Sequence, residues 1–145
     1  MYQPLVSVVI ATYNGQQFLA SQIESIINQT YTNIEVIVLD DKSIDNTVLI
    51  VEKYAAQYPN IRLVINEENL GYIKNFEKGF LLVKGDVIAP CDQDDIWYSN
   101  KIEVLLQHMG NHEIVYCNSE LIDVNGNKLH KNLSDIKYHL DRMAQ

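Results

Sequence analysis

Strand-like and helix-like runs alternate along the whole chain, and this alternation limits the fold more than any other feature. The run Val6–Thr12 is apolar and β-branched at nearly every position, as expected for a buried strand of a parallel sheet. Similar runs predict strands at residues 34–39, 61–65, 87–89 and 113–117. Helical spacing predicts helices at 16–28, from a Ser43 cap onwards, at 72–83, and from Asn100 to Met109. The pattern predicts right-handed β-α-β crossovers and a three-layer α/β/α fold around a mainly parallel sheet.

Length and charge exclude several classes of protein. The 145 residues suffice for one sizeable core. A net charge of −8, with basic residues scattered singly, disfavours nucleic acid and anionic membranes as partners. The longest apolar runs are strand-length, which predicts a cytoplasmic protein without membrane insertion. Cys91 and Cys117 lack metal-ligand spacing and are predicted to be reduced, partly buried thiols.

Polar residues follow three of the predicted strands. The strand ends continue into Thr12-Tyr13-Asn14-Gly15, Asp40-Asp41-Lys42-Ser43 and Asp92-Gln93-Asp94-Asp95. In open parallel sheets, ligands bind outside the carboxyl ends of the strands, near the point where strand order reverses. Carboxylates without histidine or cysteine beside them suit Mg²⁺ or Mn²⁺, with substrate phosphates completing the coordination. A second carboxylate pair at this edge can accept hydrogen bonds from a ribose or a base, which indicates a nucleotide ligand.

Four segments resemble the family 2 glycosyltransferases with the GT-A fold. They are VSVVIATYNG, EVIVLDDKSIDNT, NEENLGYIKNFEKG and GDVIAPCDQDDIW, in that order within residues 5–125. The segment DQDDIW is similar to the corresponding segment of bacterial rhamnosyltransferase-type members, which build surface polysaccharides. The resemblance implies inverting transfer of a sugar from a dTDP- or UDP-linked donor to a saccharide or lipid-linked acceptor. Any association with the inner face of the membrane would then be peripheral, through that acceptor.

The resemblance implies a nucleotide-sugar site as well. It assigns donor binding to Thr12, Tyr13, Asn14, Asp40, Asp41, Lys74, Asn75 and Asp92. The residues after the first strand would line the base and ribose pocket, and Asp41 would read the base or ribose. For Lys74, an exposed lysine on a helix is an equal alternative.

The D-x-D-D signature implies a metal site. Its carboxylates are Asp92, Asp94 and Asp95, with Mn²⁺ or Mg²⁺ as the implied cofactor. Asp94 is the first choice of ligand, and Asp92 is placed nearer the ribose or a metal-bound water. One departure from the family is Lys42, which stands where the family usually has glycine.

The resemblance divides the chain into a donor-binding domain at 1–125 and the start of an acceptor-side region at 126–145. The general base, a carboxylate of the acceptor half in this family, is expected beyond Gln145. Glu120 and Asp123 are expected to be loop or edge residues instead. A terminal helix carrying Ile136, Leu140 and Met143 is predicted after Ser134, and its apolar face would allow a homodimer.

Two other functions fit the residues. The chain could be a non-catalytic module that binds a nucleotide sugar without turnover. An aspartate-dependent phosphatase-like α/β enzyme is the other alternative, although its D-x-D motif is expected near the start of the chain rather than on strand four. Turnover of a nucleotide sugar, and hydrolysis of a simple aryl phosphate, would separate these functions.

Overall fold

The structure, a computed structural model, describes residues 3–135. It divides into two compact units, the first extending to Glu103 and the second beginning at Val104. The division of donor and acceptor binding at residues 125 and 126 stays a prediction. The predicted terminal helix of Ile136, Leu140 and Met143 lies outside the described residues.

A sheet of four parallel strands forms the centre of the first unit. The strands are β1 (Val6–Thr12), β2 (Ile34–Asp40), β3 (Ile61–Ile65) and β4 (Val87–Asp92), in the order β3-β2-β1-β4. β1 is paired on both sides, which explains why its apolar run is buried almost throughout. The chain fills one side of β1 with β2 and β3 and then returns to the other side with β4. Strand order therefore reverses between β1 and β4, and the predicted α/β fold is confirmed.

Helices flank this sheet and complete its core. They are α1 (Leu19–Ile27), α2 (Thr47–Gln57) and α3 (Tyr72–Phe80). A further helix, α4 (Lys101–Met109), begins in the first unit and ends in the second. Phe76 of α3 packs with Val9 of β1 and with Ile37 and Leu39 of β2 in one buried cluster. Ile37 and Leu39 are two residues apart and therefore share one face of the sheet. This packing fixes the start of α3 next to the carboxyl ends of β1 and β2.

Gly79 allows α3 to approach the sheet closely. A Cβ atom at this position would lie 2.5 Å from Val9 Cγ1 and 2.8 Å from Leu39 Cδ1. Helix propensity favours Gly79→Ala by about 1 kcal/mol, but overpacking a core costs about 1–3 kcal/mol. We expect Gly79→Ala to lower the free energy of unfolding by up to about 2 kcal/mol in urea denaturation. The exposed Lys74→Ala in the same helix is the control, and a Gly79→Ala protein more stable than the wild type would contradict the close packing.

The second unit contains a β-hairpin. Its strands are β5 (Glu120–Ile122) and β6 (Lys128–Asn132), and a 3₁₀ turn at Leu133–Asp135 follows. Asp123 Oδ1 accepts hydrogen bonds from the backbone N–H groups of Asn125 (2.9 Å) and Asn127 (2.8 Å). Gly126 takes a φ of +80°, which glycine adopts without steric strain. The turn predicted at residues 123–127 is confirmed.

The predicted fifth strand at 113–117 is wrong. The chain is irregular there, and β5 begins at Glu120 instead. Ile114 and Tyr116 are 80% and 88% exposed. Within residues 3–135 no strand pairs with this run, and β-branched and aromatic residues favour a strand only where a pleated, half-buried surface receives them.

Several predicted boundaries also shift. The helix expected from Ser43 begins at Thr47, because Ser43 Oγ accepts a hydrogen bond from the backbone N–H of Asn14 (2.8 Å) rather than capping the helix. β4 continues past Ala89 to Asp92, since its pairing with β1 extends to the register Ala11–Asp92. Asp92 is therefore the last residue of a strand.

Two further predictions concern cysteines and the membrane. Both cysteines are free thiols, as predicted, but Cys91 is buried whereas Cys117 is exposed. Among the described residues, every helix is too short or too polar to cross a bilayer.

Candidate functional site

The carboxyl ends of β1, β2 and β4 meet at one edge of the sheet. The register places Thr12 opposite Asp40 and Ala11 opposite Asp92. A groove of about 550 Å³ opens there, at the point where strand order reverses. The residues that line this polar groove are Ala11, Thr12, Tyr13, Asp41, Asn69, Gly71, Tyr72, Asn75, Asp92, Gln93 and Asp94.

The structure brings most of the predicted site residues into this groove. Those that line it are Thr12, Tyr13, Asp41, Asn75, Asp92 and Asp94. Those that do not are Asn14, Asp40, Lys74 and Asp95. The three polar strand ends predicted from the sequence therefore converge at one groove. Some of their residues lie in the adjoining loops and do not line it.

Asp41 organises the loop that closes one side of the polar groove. It is 3% exposed, and its Oδ1 accepts hydrogen bonds from Asn66 Nδ2 and Leu70 N, both at 2.8 Å. Its Oδ2 accepts one from Gly71 N, also at 2.8 Å. A carboxylate has about four acceptor positions, so one remains on Oδ2 for a ligand. Asp41 therefore holds the residue 66–71 loop and keeps limited capacity for a ribose or base.

Asn75 belongs to a buried polar network that continues from Asp41. Asn75 Oδ1 accepts a hydrogen bond from Asn66 Nδ2 (2.9 Å), and its Nδ2 donates to Leu39 O (3.1 Å). Lys78 Nζ donates to Asn66 Oδ1 (2.8 Å). The network ties α3 to the end of β2 and leaves the Asn75 amide already bonded on both its oxygen and its nitrogen.

Lys74, in contrast, lies on the exposed side of α3 and outside the groove lining. The cation of this network is Lys78, which sequence reasoning missed. Lys78 lies three residues after Asn75, so the two side chains share one face of a helix, and this spacing could have indicated Lys78 from the sequence.

Asp40 and Asn14 shape the loops beside the groove instead of lining it. Asp40 is fully buried, and its Oδ2 accepts a hydrogen bond from Ser43 N (2.9 Å). Asn14 Oδ1 accepts one from Ile44 N (2.9 Å), so the loops after β1 and β2 hold each other. Direct reading of a nucleotide by Asp40 does not fit this burial.

Lys42 adopts the left-handed conformation in the loop after β2, with a φ of +64°. This region is unfavourable for residues with a Cβ and open to glycine. The conformation gives a physical reason why glycine is usual at this position of the family.

The carboxylates after β4 face two different grooves. Asp94 lines the polar groove, Asp95 lines a neighbouring apolar groove formed with Phe76 and Cys91, and Asp92 lines both. Burial raises the pKa of Asp95, and the charges of Asp92 and Asp94 raise it further, against the opposing effect of Lys101. Within residues 3–135, no three histidine, cysteine or acidic side chains converge on a metal-sized space. Asp92 therefore shares one groove with Asp94 and the other with Asp95, and neither groove is lined by all three predicted metal ligands.

Tyr72 lies where the two grooves meet, since it lines both. Burial raises the pKa of its phenol, and the nearby charges of Asp92 and Asp95 raise it further. Asp94 forms no hydrogen bond or ion pair with any described residue.

Glu120 and Asp123 take structural roles in the second unit. Glu120 forms an ion pair with Lys128 across the hairpin (2.7 Å). The hydrogen bonds from Asn127 and Asn125 lower the pKa of Asp123. Both residues occupy the edge and turn positions expected of them.

Asp45 ties the start of α2 to the loop after β1. Its Oδ1 accepts hydrogen bonds from Thr47 N (2.9 Å) and Thr47 Oγ1 (2.5 Å), and its Oδ2 accepts one from Gln16 N (3.2 Å). Burial acts to raise the pKa of Asp45, but the bonds from Thr47 and Gln16 outweigh it and hold the pKa below its ordinary value. The ionised carboxylate is therefore the form that stabilises these loops.

A pH dependence follows from this lowered pKa. The contribution of Asp45 to stability is complete above its unfolded pKa, about 3.9, and is lost as pH falls through the lower folded value. We expect Asp45→Ala to lose about 1 kcal/mol near neutral pH, the size of a helix cap, and the difference from wild type to shrink below about pH 3. Urea denaturation at both pH values measures it, with the exposed Glu52→Ala in α2 as the control. A difference independent of pH would contradict the role of the charge.

Sequence reasoning missed Asn66, Asn69, Gly71 and Gln93. The first three lie in the loop after β3, so their position after a strand was a usable signal. Gln93 lies within the D-x-D-D signature itself, but the signature was interpreted through its carboxylates alone. Its contacts are with residues about eighty positions away in sequence, which no local pattern shows.

An open α/β sheet with a polar groove at its point of strand reversal defines a class of nucleotide-binding folds. Residues 7–144 match the sequence profile of glycosyl transferase family 2. The chain belongs to this family.

Proteins with similar sequences are also named glycosyltransferases. An uncharacterized glycosyltransferase of Rickettsia typhi is 36% identical over 146 residues, covering 98% of this chain and 45% of the relative. The glycosyltransferase GlyG of Streptococcus pneumoniae is 37% identical over 105 residues, covering 72% of this chain and 35% of the relative. The chain thus spans less than half the length of these relatives.

Solved structures share the fold. TarS 1–349 from S. aureus, in complex with UDP-GlcNAc, has a TM-score of 0.68 at 27% identity, covering 74% of this chain and 31% of that one. The mannosyltransferase PcManGT from Pyrobaculum calidifontis, solved with GDP-Man and Mn²⁺, has a TM-score of 0.70 at 22% identity, covering 84% and 36%. The predicted GT-A fold is confirmed.

Proposed function

We propose that this chain binds the nucleotide-sugar donor of a glycosyltransferase that transfers the sugar with inversion. One observation carries the proposal: Asp41, Asp92 and Asp94, from two separate sequence motifs, line one groove at the point of strand reversal. Family membership and the similarity to TarS, which was solved with UDP and with UDP-GlcNAc, support it.

The nucleoside would lie between β1 and the loop after β3. Tyr13 is 47% exposed in the groove and offers an aromatic face to a base. Asp41 would accept one hydrogen bond from the base or ribose at the free position of Oδ2. Because the surrounding loop is already held by hydrogen bonds to Asp41, this side of the groove is ordered before a ligand arrives.

Two carboxylates would hold a divalent cation on the donor diphosphate. Asp94 is exposed in the polar groove without a protein partner, which leaves its oxygens available, and carboxylate oxygens suit Mn²⁺ and Mg²⁺. Asp92, which lines the same groove as Tyr72, would face the ribose or a metal-bound water. When bound, the cation supplies Lewis-acid stabilisation of the negative charge that develops on the leaving diphosphate. Asp95 lines the neighbouring groove and is the weakest of the three ligand candidates.

The proposal extends to the nucleotide and sugar of the donor and to the class of acceptor. The DQDDIW segment favours a dTDP-linked rhamnose and a role in surface polysaccharide synthesis, whereas the similarity to TarS favours a UDP-linked sugar. The acceptor would be a saccharide, free or lipid-linked.

Calorimetric titration tests the proposal. UDP, dTDP and GDP are each titrated with Mn²⁺, with Mg²⁺ and with EDTA. We expect one nucleoside diphosphate to bind preferentially, and to bind only when a divalent cation is present. Binding of none of them by folded protein would refute donor binding, and binding unaffected by EDTA would refute the metal. Release of nucleoside diphosphate from the matching nucleotide sugar would then distinguish a transferase from a non-catalytic module.

A further inference from the structure

Gln93 connects the acidic segment after β4 to the end of β1. Its side-chain Oε1 accepts a hydrogen bond from Thr12 Oγ1 (2.8 Å) and another from Tyr13 N (3.0 Å). An amide oxygen has two lone pairs, so both are used by these two donors. The side chain therefore joins two strands that form the groove.

These contacts also settle which end of the amide faces the protein. A backbone N–H donates and never accepts, so the atom beside Tyr13 N is the oxygen of Gln93. The nitrogen, Nε2, occupies the other branch of the amide. In the described part of the chain no acceptor bonds to Nε2, although Gln93 lines the polar groove.

Gly15 provides the space for this arrangement. A Cβ atom at Gly15 would lie 2.6 Å from Gln93 Oε1 and 2.7 Å from Thr12 Oγ1. Any larger residue would displace one of the two atoms that orient the amide. The glycine of the ATYNG segment is thus coupled to the amide of the DQDD segment.

The charges around the groove explain why an amide donor is useful there. Asp41, Asp92 and Asp94 supply acceptors and negative charge, while Lys74 lies outside the lining. A ligand rich in acceptor oxygens, such as a diphosphate, needs N–H donors in addition to a cation. Nε2 of Gln93 is a neutral donor whose position is fixed on the protein side.

We propose that Gln93 is a donor-binding residue whose Nε2 donates a hydrogen bond to an oxygen of the bound nucleoside diphosphate, while its Oε1 remains on Thr12 and Tyr13. This inference rests on the proposed function. It assigns recognition of the ligand to the variable position of the D-x-D-D signature as well as to its carboxylates.

The test compares Gln93→Glu with Gln93→Met. Glutamate has the same shape and keeps an acceptor for Thr12 and Tyr13, but replaces the N–H donors with a charged oxygen. We expect Gln93→Glu to unfold at the wild-type temperature and to bind the preferred nucleoside diphosphate with Mn²⁺ at least about 10-fold more weakly. Methionine removes both functions, so Gln93→Met is expected to lose thermal stability as well as affinity.

The matched control is Gln16→Glu, which adds the same charge outside the groove lining. Gln16 Oε1 also accepts a hydrogen bond, from Asn46 N (3.1 Å). We expect Gln16→Glu to bind the nucleoside diphosphate with an affinity within about twofold of wild type. Repeating the titrations in about 0.5 M NaCl screens long-range repulsion, so a loss that persists in Gln93→Glu arises where residue 93 directly contacts the ligand.

Three results would overturn the inference. They are wild-type affinity in Gln93→Glu, a loss that disappears in salt, and an equal loss in Gln16→Glu. Failure of the wild-type protein to bind any nucleoside diphosphate would instead refute the proposed function, so the two failures are distinguishable.

Discussion

Asp41→Ala is expected to lower the free energy of unfolding by about 3 kcal/mol or more and to abolish binding at the groove. Asp41 is 3% exposed and accepts hydrogen bonds from Asn66, Leu70 and Gly71. Alanine would remove the acceptor of Asn66 Nδ2 and Leu70 N, whereas Gly71 N would keep Asn69 Oδ1 (3.1 Å). Each buried group left unsatisfied costs about 1–3 kcal/mol before relaxation. The loop after β3 would also lose the contact that places it against the groove.

Urea denaturation of Asp41→Ala measures the change, and Glu68→Ala is the control. Glu68 is an exposed acidic residue of the same loop, and its replacement is expected to change stability by less than about 0.5 kcal/mol. Asp41→Asn should fall between alanine and wild type, because its oxygen still accepts while its nitrogen meets donors. A loss below about 1 kcal/mol in Asp41→Ala would contradict the organising role assigned to this carboxylate.

Asp94→Ala is expected to weaken metal-dependent binding of the nucleoside diphosphate by about 100-fold or more while leaving stability unchanged. Replacing residues that only support a metal ligand typically costs about 10–100-fold in affinity, so removing the ligand itself should cost at least as much. Its carboxylate is exposed and bonds to no described residue, so folding should not suffer.

Calorimetry with Mn²⁺, together with a thermal melt of each protein, measures both effects of Asp94→Ala. Glu68→Ala again serves as the charge-matched control. Unchanged affinity in Asp94→Ala would remove this residue from the metal site. A large loss of stability would show that its role is structural.

Burial decides which parts of the fold are predictable from the sequence. β1 and β3 have the predicted bounds because their runs are rich in β-branched residues and pair with β2 in the sheet. The run at 113–117 has similar residues, but within residues 3–135 no strand pairs with it. Residue composition alone therefore predicted a strand that does not form. Helix starts moved because residues such as Ser43, which favour caps, bond to a neighbouring loop instead.

The residues of the candidate site were also predictable only in part. Positions directly after strands could be predicted to converge, because parallel strands end at one edge, and Thr12, Asp41 and Asp94 do lie in one groove. The difference between Asp40 and Asp41 could not be predicted, since it depends on which side chain the loop after β3 covers. Gln93 and Lys78 were missed for a related reason: their partners come from other segments of the chain.

The most direct test of the account is the location of bound Mn²⁺ by nuclear magnetic resonance. With the amide signals assigned, Mn²⁺ is added in the presence of the nucleoside diphosphate, and nearby signals broaden. We expect selective broadening around Asp94, Tyr13 and Gly71, with Glu52 and Lys53 of α2 unaffected. This broadening should disappear in Asp94→Ala. Broadening centred elsewhere in the protein, or unchanged by Asp94→Ala, would contradict a metal-assisted donor site in this groove.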